Sequence, residues 1–130
     1  MSELGEIRNR EHATQLRVFK GLQYGNMLAT DIDGFADIRG RLFMFFETKH
    51  NGAALPFGQR LAFERLCDAI QRGGSDCIYF IASHYNSGDI ECADAIVTEY
   101  RWKGQWRKAE GHRKLSEYWF DAIEAHGCSL

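Results

Sequence analysis

The sequence predicts an α/β fold, a single domain with a mixed β-sheet flanked by helices. Three observations lead to this class. The chain has 130 residues, enough for one hydrophobic core but short for two. Two apolar runs, 42–46 and 77–82, have the length of buried strands, and an amphipathic helix is predicted between them. A strand, a helix and a second strand in this order are typical of a parallel crossover.

The first predicted element is a helix over residues 3–22. Four apolar residues fall near one stripe of this helix: Leu4, Ile7, Val18 and Leu22. Gly21 and Gly25 indicate where it ends.

A β-hairpin is predicted next, with strands over 32–38 and 42–48 and a turn at Arg39 and Gly40. The run Leu-Phe-Met-Phe-Phe at 42–46 does not alternate with polar residues. Such a strand is covered on both faces, so we expect it in the middle of the sheet.

The second predicted helix covers 57–72 and ends at Gly73 and Gly74. Its apolar positions form one inward stripe: Ala62, Phe63, Leu66, Cys67 and Ile70. Its polar positions are expected to face outward: Arg60, Glu64, Arg65 and Asp68.

Three further elements complete the order αββαββα. Residues 77–82 are predicted to form a buried strand beside the central one, and 95–100 a further strand that leads to a turn at Lys103 and Gly104. A final amphipathic helix is marked by Leu115, Tyr118, Trp119, Ala122 and Ile123.

The composition excludes several classes of protein. Hydrophobic residues make up 45% and charged residues 26% of the chain, which is close to the globular average and argues against disorder. No stretch approaches the ~20 apolar residues of a membrane helix, and the N-terminus lacks the apolar core of a signal peptide. We therefore expect a cytoplasmic protein without membrane association.

The four cysteines predict neither a zinc site nor a disulfide framework. They are widely scattered, without a CxxC pair: Cys67, Cys77, Cys92 and Cys128. We expect them to be reduced and structural.

The candidate chemistry lies in the predicted hairpin. Strand side chains alternate, so Glu47 and Lys49 face one way, and antiparallel pairing brings the start of the partner strand, with Asp31 and Asp33, opposite Glu47. Two converging carboxylates form the oxygen site that Mg²⁺ prefers, and Mn²⁺ can substitute for it. A bound ion activates water and neutralises phosphodiester charge, while a nearby lysine orients the water or stabilises charge. This pattern predicts metal-dependent phosphodiester hydrolysis.

The sequence Asp33, hairpin, Glu47-Thr48-Lys49 resembles the D…(D/E)xK core of the PD-(D/E)xK nuclease superfamily. The resemblance covers about residues 3–84. It implies a restriction-endonuclease-like αβββαβ core, with Asp33 and Glu47 as metal ligands and Lys49 positioning the water. The usual proline before the aspartate is replaced by Ile32, and Asp31 is a rival for the role of Asp33. Only two of the three initial strands are recognised in the sequence.

Two further residues support the same site. Gln59 lies on the inward stripe of the second helix, where a buried polar group needs a partner, and Gln59 to Phe63 resembles the QxxxY motif of several branches with phenylalanine in place of tyrosine. Glu11 interrupts the inward face of the first helix. The resemblance implies that Glu11 adds a metal contact, with Glu6 as its competitor.

A basic segment follows at 101–114, where six basic residues stand against one acid. Cations neutralise phosphates and aromatic faces stack on bases, so this segment predicts a nucleic-acid-binding hairpin before the C-terminal helix. Its candidate residues are Arg101, Trp102, Lys103, Trp106, Arg107 and Lys108. The alternative is a hairpin whose tryptophans cover the edge of the core while its charges are solvated.

The predicted function is a Mg²⁺-dependent endodeoxyribonuclease acting in DNA recombination or repair. Without a separate recognition domain, specificity would come from DNA shape or from a second subunit, which favours a homodimeric, Holliday-junction-resolvase-like enzyme. The alternatives are a small exonuclease and a nucleic-acid-binding or assembly module without turnover.

Overall fold

A computed structural model describes residues 18–27 and 29–127. The chain divides into two units, Met1–Asp31 and Ile32–Leu130, so the expectation of a single domain stays a prediction. In the first unit, Lys20–Leu22 form a short 3₁₀ helix, and Tyr24 and Met27 exchange two backbone hydrogen bonds across a turn. Most of the predicted first helix, with Glu6 and Glu11, lies outside the described residues. Its described end is a 3₁₀ helix and not an α-helix.

The second unit is built on a five-stranded sheet whose spatial order follows the chain. The strands are β1 (Gly34–Ile38), β2 (Leu42–His50), β3 (Asp76–His84), β4 (Ile96–Trp102) and β5 (Gln105–Lys108). Two α-helices accompany them, α1 (Phe57–Arg72) and α2 (Leu115–Ala125). A short 3₁₀ helix, Cys92–Asp94, precedes β4.

The sheet is mixed, because β2 and β3 pair in parallel and the other neighbours pair antiparallel. Helix α1 makes the crossover between the two parallel strands. The predicted α/β class is therefore confirmed. Strand β2 is an interior strand between β1 and β3, but the middle of the sheet, where β2 was expected, is occupied by β3. The described residues contain two strands before α1, so the finer restriction-endonuclease-like core remains a proposal.

The periodic patterns located most elements well. Helix α1 has the predicted bounds, because its apolar stripe repeats over four turns. Strands β2 and β3 each continue two residues beyond the predicted end, to His50 and His84. The predicted strand at 32–38 begins later, at Gly34.

The sheet buries side chains on both faces. On one face α2 covers a cluster of Leu42, Met44, Ile78, Phe80, Val97, Leu115 and Ile123. On the other face α1 covers a cluster of Phe45, Phe63, Cys67, Cys77, Tyr79 and Ile81. Alternate residues of β2 and β3 thus belong to alternate cores, which explains why their sequences are continuously apolar.

The predicted outward orientation of three α1 residues is wrong. Arg60 pairs with Glu99 of β4, Asp68 pairs with Arg101 of β4, and Glu64 accepts a hydrogen bond from Trp106 of β5. The hairpin of β4 and β5 extends the sheet, so the face of α1 that carries positions 60, 64 and 68 meets this hairpin instead of solvent. Arg65 is exposed, as predicted.

The described cysteines carry free thiols, two of them buried (Cys67 and Cys77) and one partly buried (Cys92). A hydrogen bond with Cys67 and burial raise the pKa of the Cys77 thiol above its ordinary value. The two described α-helices have 16 and 11 residues, and neither has the length and hydropathy of a membrane-spanning segment.

Candidate active site at the end of the parallel strands

The candidate site lies where β2 and β3 end together. Phe45 of β2 belongs to the core under α1, and side chains two positions apart share a face. Glu47 and Lys49 therefore face the α1 side of the sheet. The carboxyl ends of parallel strands are the usual place for ligand binding in α/β proteins.

Glu47 is a buried carboxylate with a cation beside it. Glu47 is only 4% exposed, and the Nζ atom of Lys49 lies 4.0 Å from the Oε1 atom of Glu47. A buried carboxylate is costly unless other groups compensate its charge. Lys49 supplies a positive charge at the mouth of the site, where it is still partly accessible.

Gln59 reaches the same ammonium group from the first turn of α1. Its Oε1 accepts a hydrogen bond from the Nζ of Lys49 at 3.3 Å. The inward orientation expected for Gln59 is thus present, and its polar group meets Lys49. Glu47 and Lys49 of β2 thus meet Gln59 of α1, which follows Lys49 by ten positions in the sequence.

Asp33 lies just before β1 and is bound to the residue between Glu47 and Lys49. Its Oδ2 accepts hydrogen bonds from the backbone N–H of Thr48 at 2.7 Å and from the Thr48 hydroxyl at 3.0 Å. Since Gly34 pairs with Phe46, Asp33 stands at the level of Glu47. Asp31 belongs to the first unit, so the choice between the two aspartates stays a prediction.

The carboxylates of this site suit a metal only in combination with other ligands. Among the described residues, no three His, Cys, Asp or Glu side chains are grouped so that they could hold a metal ion. Mg²⁺ usually takes one or two protein carboxylates and completes its shell with water and substrate phosphates. Asp33 and Glu47 are both carboxylates at this level of the sheet. Asp33, however, is bonded to the hydroxyl of Thr48, whose side chain alternates with those of Glu47 and Lys49 and therefore faces the α2 side. Glu11, the third predicted ligand, lies outside the described residues.

Two of the predicted nucleic-acid-binding residues are engaged within the protein. Arg101 makes a bidentate ion pair with Asp68, at 3.1 and 2.6 Å, which raises the pKa of Arg101 above its ordinary value. Trp106 donates its ring N–H to Glu64 at 2.6 Å. The Trp106 contact matches the alternative interpretation, in which the tryptophans cover the edge of the core. The Arg101 ion pair does not, because that interpretation left the hairpin charges solvated.

Of the other four hairpin residues, Trp102 is partly buried, as Arg101 and Trp106 are, and the three cations are exposed. Trp102 packs against the core under α2, and the Nζ of Lys103 lies 5.2 Å from the centre of its ring. Arg107 and Lys108 are exposed. The hairpin therefore presents three cations to solvent, Lys103, Arg107 and Lys108.

The strand register shows that the turn between β4 and β5 is distant from Lys49. Trp102, just before the turn, pairs with Ile78, whereas Lys49 pairs with Ser83. Five residues of strand separate these levels, about 17 Å. Lys108 is nearer, because it pairs with Glu99, which lies at the level of Glu47.

The sequence interpretation missed Ser83. It is the parallel partner of Lys49 on β3, it is buried, and its hydroxyl has no hydrogen-bond partner among the described residues. The signal was a polar residue directly after the apolar run 77–82. At the strand ends beyond it, the rings of His50 and His84 lie 5.4 Å apart in an edge arrangement.

No family model matches this chain, and the searches of curated proteins and of solved structures likewise found no match.

Proposed function

We propose that this protein is a Mg²⁺-dependent deoxyribonuclease that hydrolyses phosphodiester bonds. The observation that carries the proposal is the buried Glu47 carboxylate with the Lys49 ammonium group 4.0 Å away, at the end of a parallel strand pair. This combination supplies an oxygen ligand and a cation in one small site, and the resemblance to the PD-(D/E)xK superfamily gives it a known use.

Each residue has a defined part in this proposal. Glu47 and Asp33 would hold the metal ion, which supplies charge neutralisation and an acidified water when bound. Lys49 orients the attacking water and stabilises the negative charge that develops on the phosphate. Gln59 fixes the Lys49 ammonium by its hydrogen bond. Thr48 holds Asp33 beside the strand.

Branched DNA is the preferred substrate class in this proposal, with specificity drawn from DNA shape or from a second subunit. A homodimer would provide two cutting sites for a junction, in the manner of a Holliday-junction resolvase in recombination or repair. A small exonuclease is the alternative within the same chemistry.

A cleavage assay tests this function. Purified protein is incubated with a four-way junction, a linear duplex, a closed circular duplex and single-stranded DNA, with Mg²⁺, Mn²⁺ or chelator. Metal-dependent cutting is expected, and Glu47→Gln and Lys49→Gln should each lower its rate about 10²-fold or more, as loss of one transition-state contact does. Cutting of the closed circle identifies an endonuclease, and loss of ends alone identifies an exonuclease.

Glu124→Gln is the matched control, since Glu124 is an exposed carboxylate of α2. It should cut as the wild type does. The proposal is wrong if no DNA is cut with either metal, or if Glu47→Gln and Lys49→Gln remain fully active.

The second candidate function is a nucleic-acid-binding module without turnover. It is favoured by Lys103, Arg107 and Lys108, which form no ion pair with the described residues. Salt-dependent binding to DNA without metal-dependent cutting would support it. For duplex DNA, an Arg107→Ala or Lys108→Ala variant that removes one phosphate contact should flatten the salt dependence by about 0.9 in log–log slope. A protein-only adaptor would show no salt-sensitive DNA binding.

A further inference from the structure

The start of α1 is weakly specified by its own sequence. Its N-cap residue is Pro56, which supplies no side-chain hydrogen bond to the free N–H groups, and the first described turn carries no acidic residue. The usual caps are Ser, Thr, Asp and Asn. Gly58 lies within the same turn, and glycine destabilises a helix because it loses more conformational freedom on folding than other residues do. Contacts with the sheet must therefore fix this end of the helix.

Two consecutive residues of this first turn reach opposite sides of β3. Gln59 bonds to Lys49 on β2, and Arg60 bonds to Glu99 on β4. One turn later, Phe63 stacks on Tyr79 of β3, with ring centres 4.2 Å apart. The first turn is thus held by one polar contact on each flank.

The contact of Arg60 is the stronger of the two. Its guanidinium group donates two hydrogen bonds to the Glu99 carboxylate, at 2.6 and 2.9 Å, and it lies 4.3 Å from the centre of the Trp106 ring. Bidentate pairs of this kind fix direction as well as distance. The hydrogen bonds to Glu99 raise the pKa of Arg60 above its ordinary value, although burial acts against them.

Glu99 forms no ion pair with Lys49 among the described residues. Glu99 pairs with Ile81, and Ile81 pairs with Glu47, so Glu99 and Glu47 are two strands apart, about 10 Å. A change at Glu99 can reach Lys49 through the first turn of α1, where Arg60 and Gln59 are neighbours.

We propose that Arg60 and Glu99 are positioning residues, which hold the first turn of α1 over the sheet and thereby keep the Gln59 amide oxygen on the Lys49 ammonium group. The effect on DNA cleavage rests on the proposed function. The effect on Lys49 does not, because it concerns the geometry of the folded protein.

The test observes Lys49 directly. Protein labelled with ¹⁵N-lysine is studied by NMR, and the Lys49 ammonium signal is assigned from its loss in Lys49→Arg. Glu99→Gln should move this signal in the same direction as Gln59→Ala. In the Gln59→Ala background, Glu99→Gln should move it no further, because the contact that transmits the change is gone.

Asp68→Asn is the matched control. It weakens the ion pair with Arg101, near the other end of α1, and should lower the thermal midpoint in the same way as Glu99→Gln while leaving the Lys49 signal in place. The inference is overturned if Asp68→Asn moves the signal as much as Glu99→Gln does, or if the shifts of Glu99→Gln and Gln59→Ala simply add.

Cleavage kinetics provide a second measurement of the same effect. Glu99→Gln should lower kcat about 10-fold with little change in KM, and it should lower kcat no further in Gln59→Ala. A wild-type protein that cuts no DNA would overturn the proposed function. The NMR signal of Lys49 would still show whether Arg60 and Glu99 keep Gln59 on the Lys49 ammonium group.

Discussion

Asp33 is joined to Thr48 by two hydrogen bonds on a single carboxylate oxygen, from the backbone N–H at 2.7 Å and from the hydroxyl at 3.0 Å. These bonds connect the residue before β1 to Thr48, which lies between Glu47 and Lys49 in β2. Asp33 thus has a structural task in addition to the metal-binding task proposed for it. Its Oδ1 accepts no hydrogen bond from the described residues, which leaves one oxygen of this carboxylate open to a further ligand.

Manganese binding separates these two tasks. Mn²⁺ should raise the thermal midpoint of the wild type, because a ligand that binds the folded state stabilises it. Asp33→Asn should abolish this rise, and Thr48→Val, which loses only the hydroxyl contact, should keep it while costing about 1 kcal/mol of stability. Thermal unfolding across a Mn²⁺ titration measures both effects. A rise that survives in Asp33→Asn would remove Asp33 from the metal site.

Gly34 is required by close packing. A Cβ atom at this position would lie well inside van der Waals contact of the Phe46 ring, and that ring is held edge-on against Trp119. Gly34→Ala should therefore lower the free energy of unfolding by about 1–3 kcal/mol, as overpacking does. Urea denaturation measures the change.

Gly58→Ala is the opposite case and serves as the control for Gly34→Ala. A Cβ atom at position 58 meets no neighbouring atom within 4 Å, and the residue lies in the first turn of α1. Alanine should stabilise the protein by about 0.4–1 kcal/mol, because it reduces the freedom of the unfolded chain. Equal effects of the two substitutions would contradict the packing assigned to Gly34.

Cys92 reports on the charge around Asp33. Burial raises the pKa of the Cys92 thiol above its ordinary value, and the charges of Asp33 and Glu91 raise it further. The thiolate is the reactive form, so alkylation of Cys92 at pH 8 should be slow and should accelerate as the pH rises. Removing a nearby negative charge lowers the pKa, so Asp33→Asn should react faster at pH 8.

Iodoacetamide labelling followed by mass spectrometry of the Cys92 peptide measures this rate. Asp37→Asn, on the adjoining strand β1, is the control and should react as the wild type does. If Asp33→Asn leaves the pH profile unchanged, the electrostatic link between Asp33 and Cys92 is absent.

The two tryptophans of the hairpin should respond differently to substitution. Trp106→Phe removes the donor to the partly buried Glu64 and should cost about 1–3 kcal/mol, the penalty for leaving such a group without its partner. Trp102 lies 6.1 Å from His126 in a ring contact, and Trp102→Phe should cost less, because it conserves most of the packing. Chemical denaturation compares the two. A larger loss for Trp102→Phe would contradict the contact assigned to Trp106.

Local periodicity located the elements around the site. The repeat of apolar residues in 57–72 fixed both the bounds of α1 and the face that carries Phe63, because a helix places residues i and i+4 on one side. The apolar runs at 42–46 and 77–82 located the two central strands for the corresponding reason. The alternation of a strand is also sufficient to place Glu47 and Lys49 on one face.

The partners of polar side chains could not be obtained in this way. Arg60 lies off the apolar stripe of the helix and is assigned to the surface by the pattern, whereas its partner Glu99 is 39 positions away. The engagement of Arg101 and Trp106 with α1 was missed for the same reason. Asp33 was placed opposite Glu47 by the hairpin pattern, but its bonds to Thr48 depend on a side-chain rotation that a pattern does not encode.

The sequence by itself determined where α1 and the strands β2 and β3 form, since their apolar residues repeat at the spacing of a helix or run without interruption. Only the tertiary structure decided that Gln59 meets Lys49 and that Arg60 meets Glu99. Those contacts depend on how the parallel crossover sets α1 across three strands, and this placement is fixed by packing and register summed over the whole sheet.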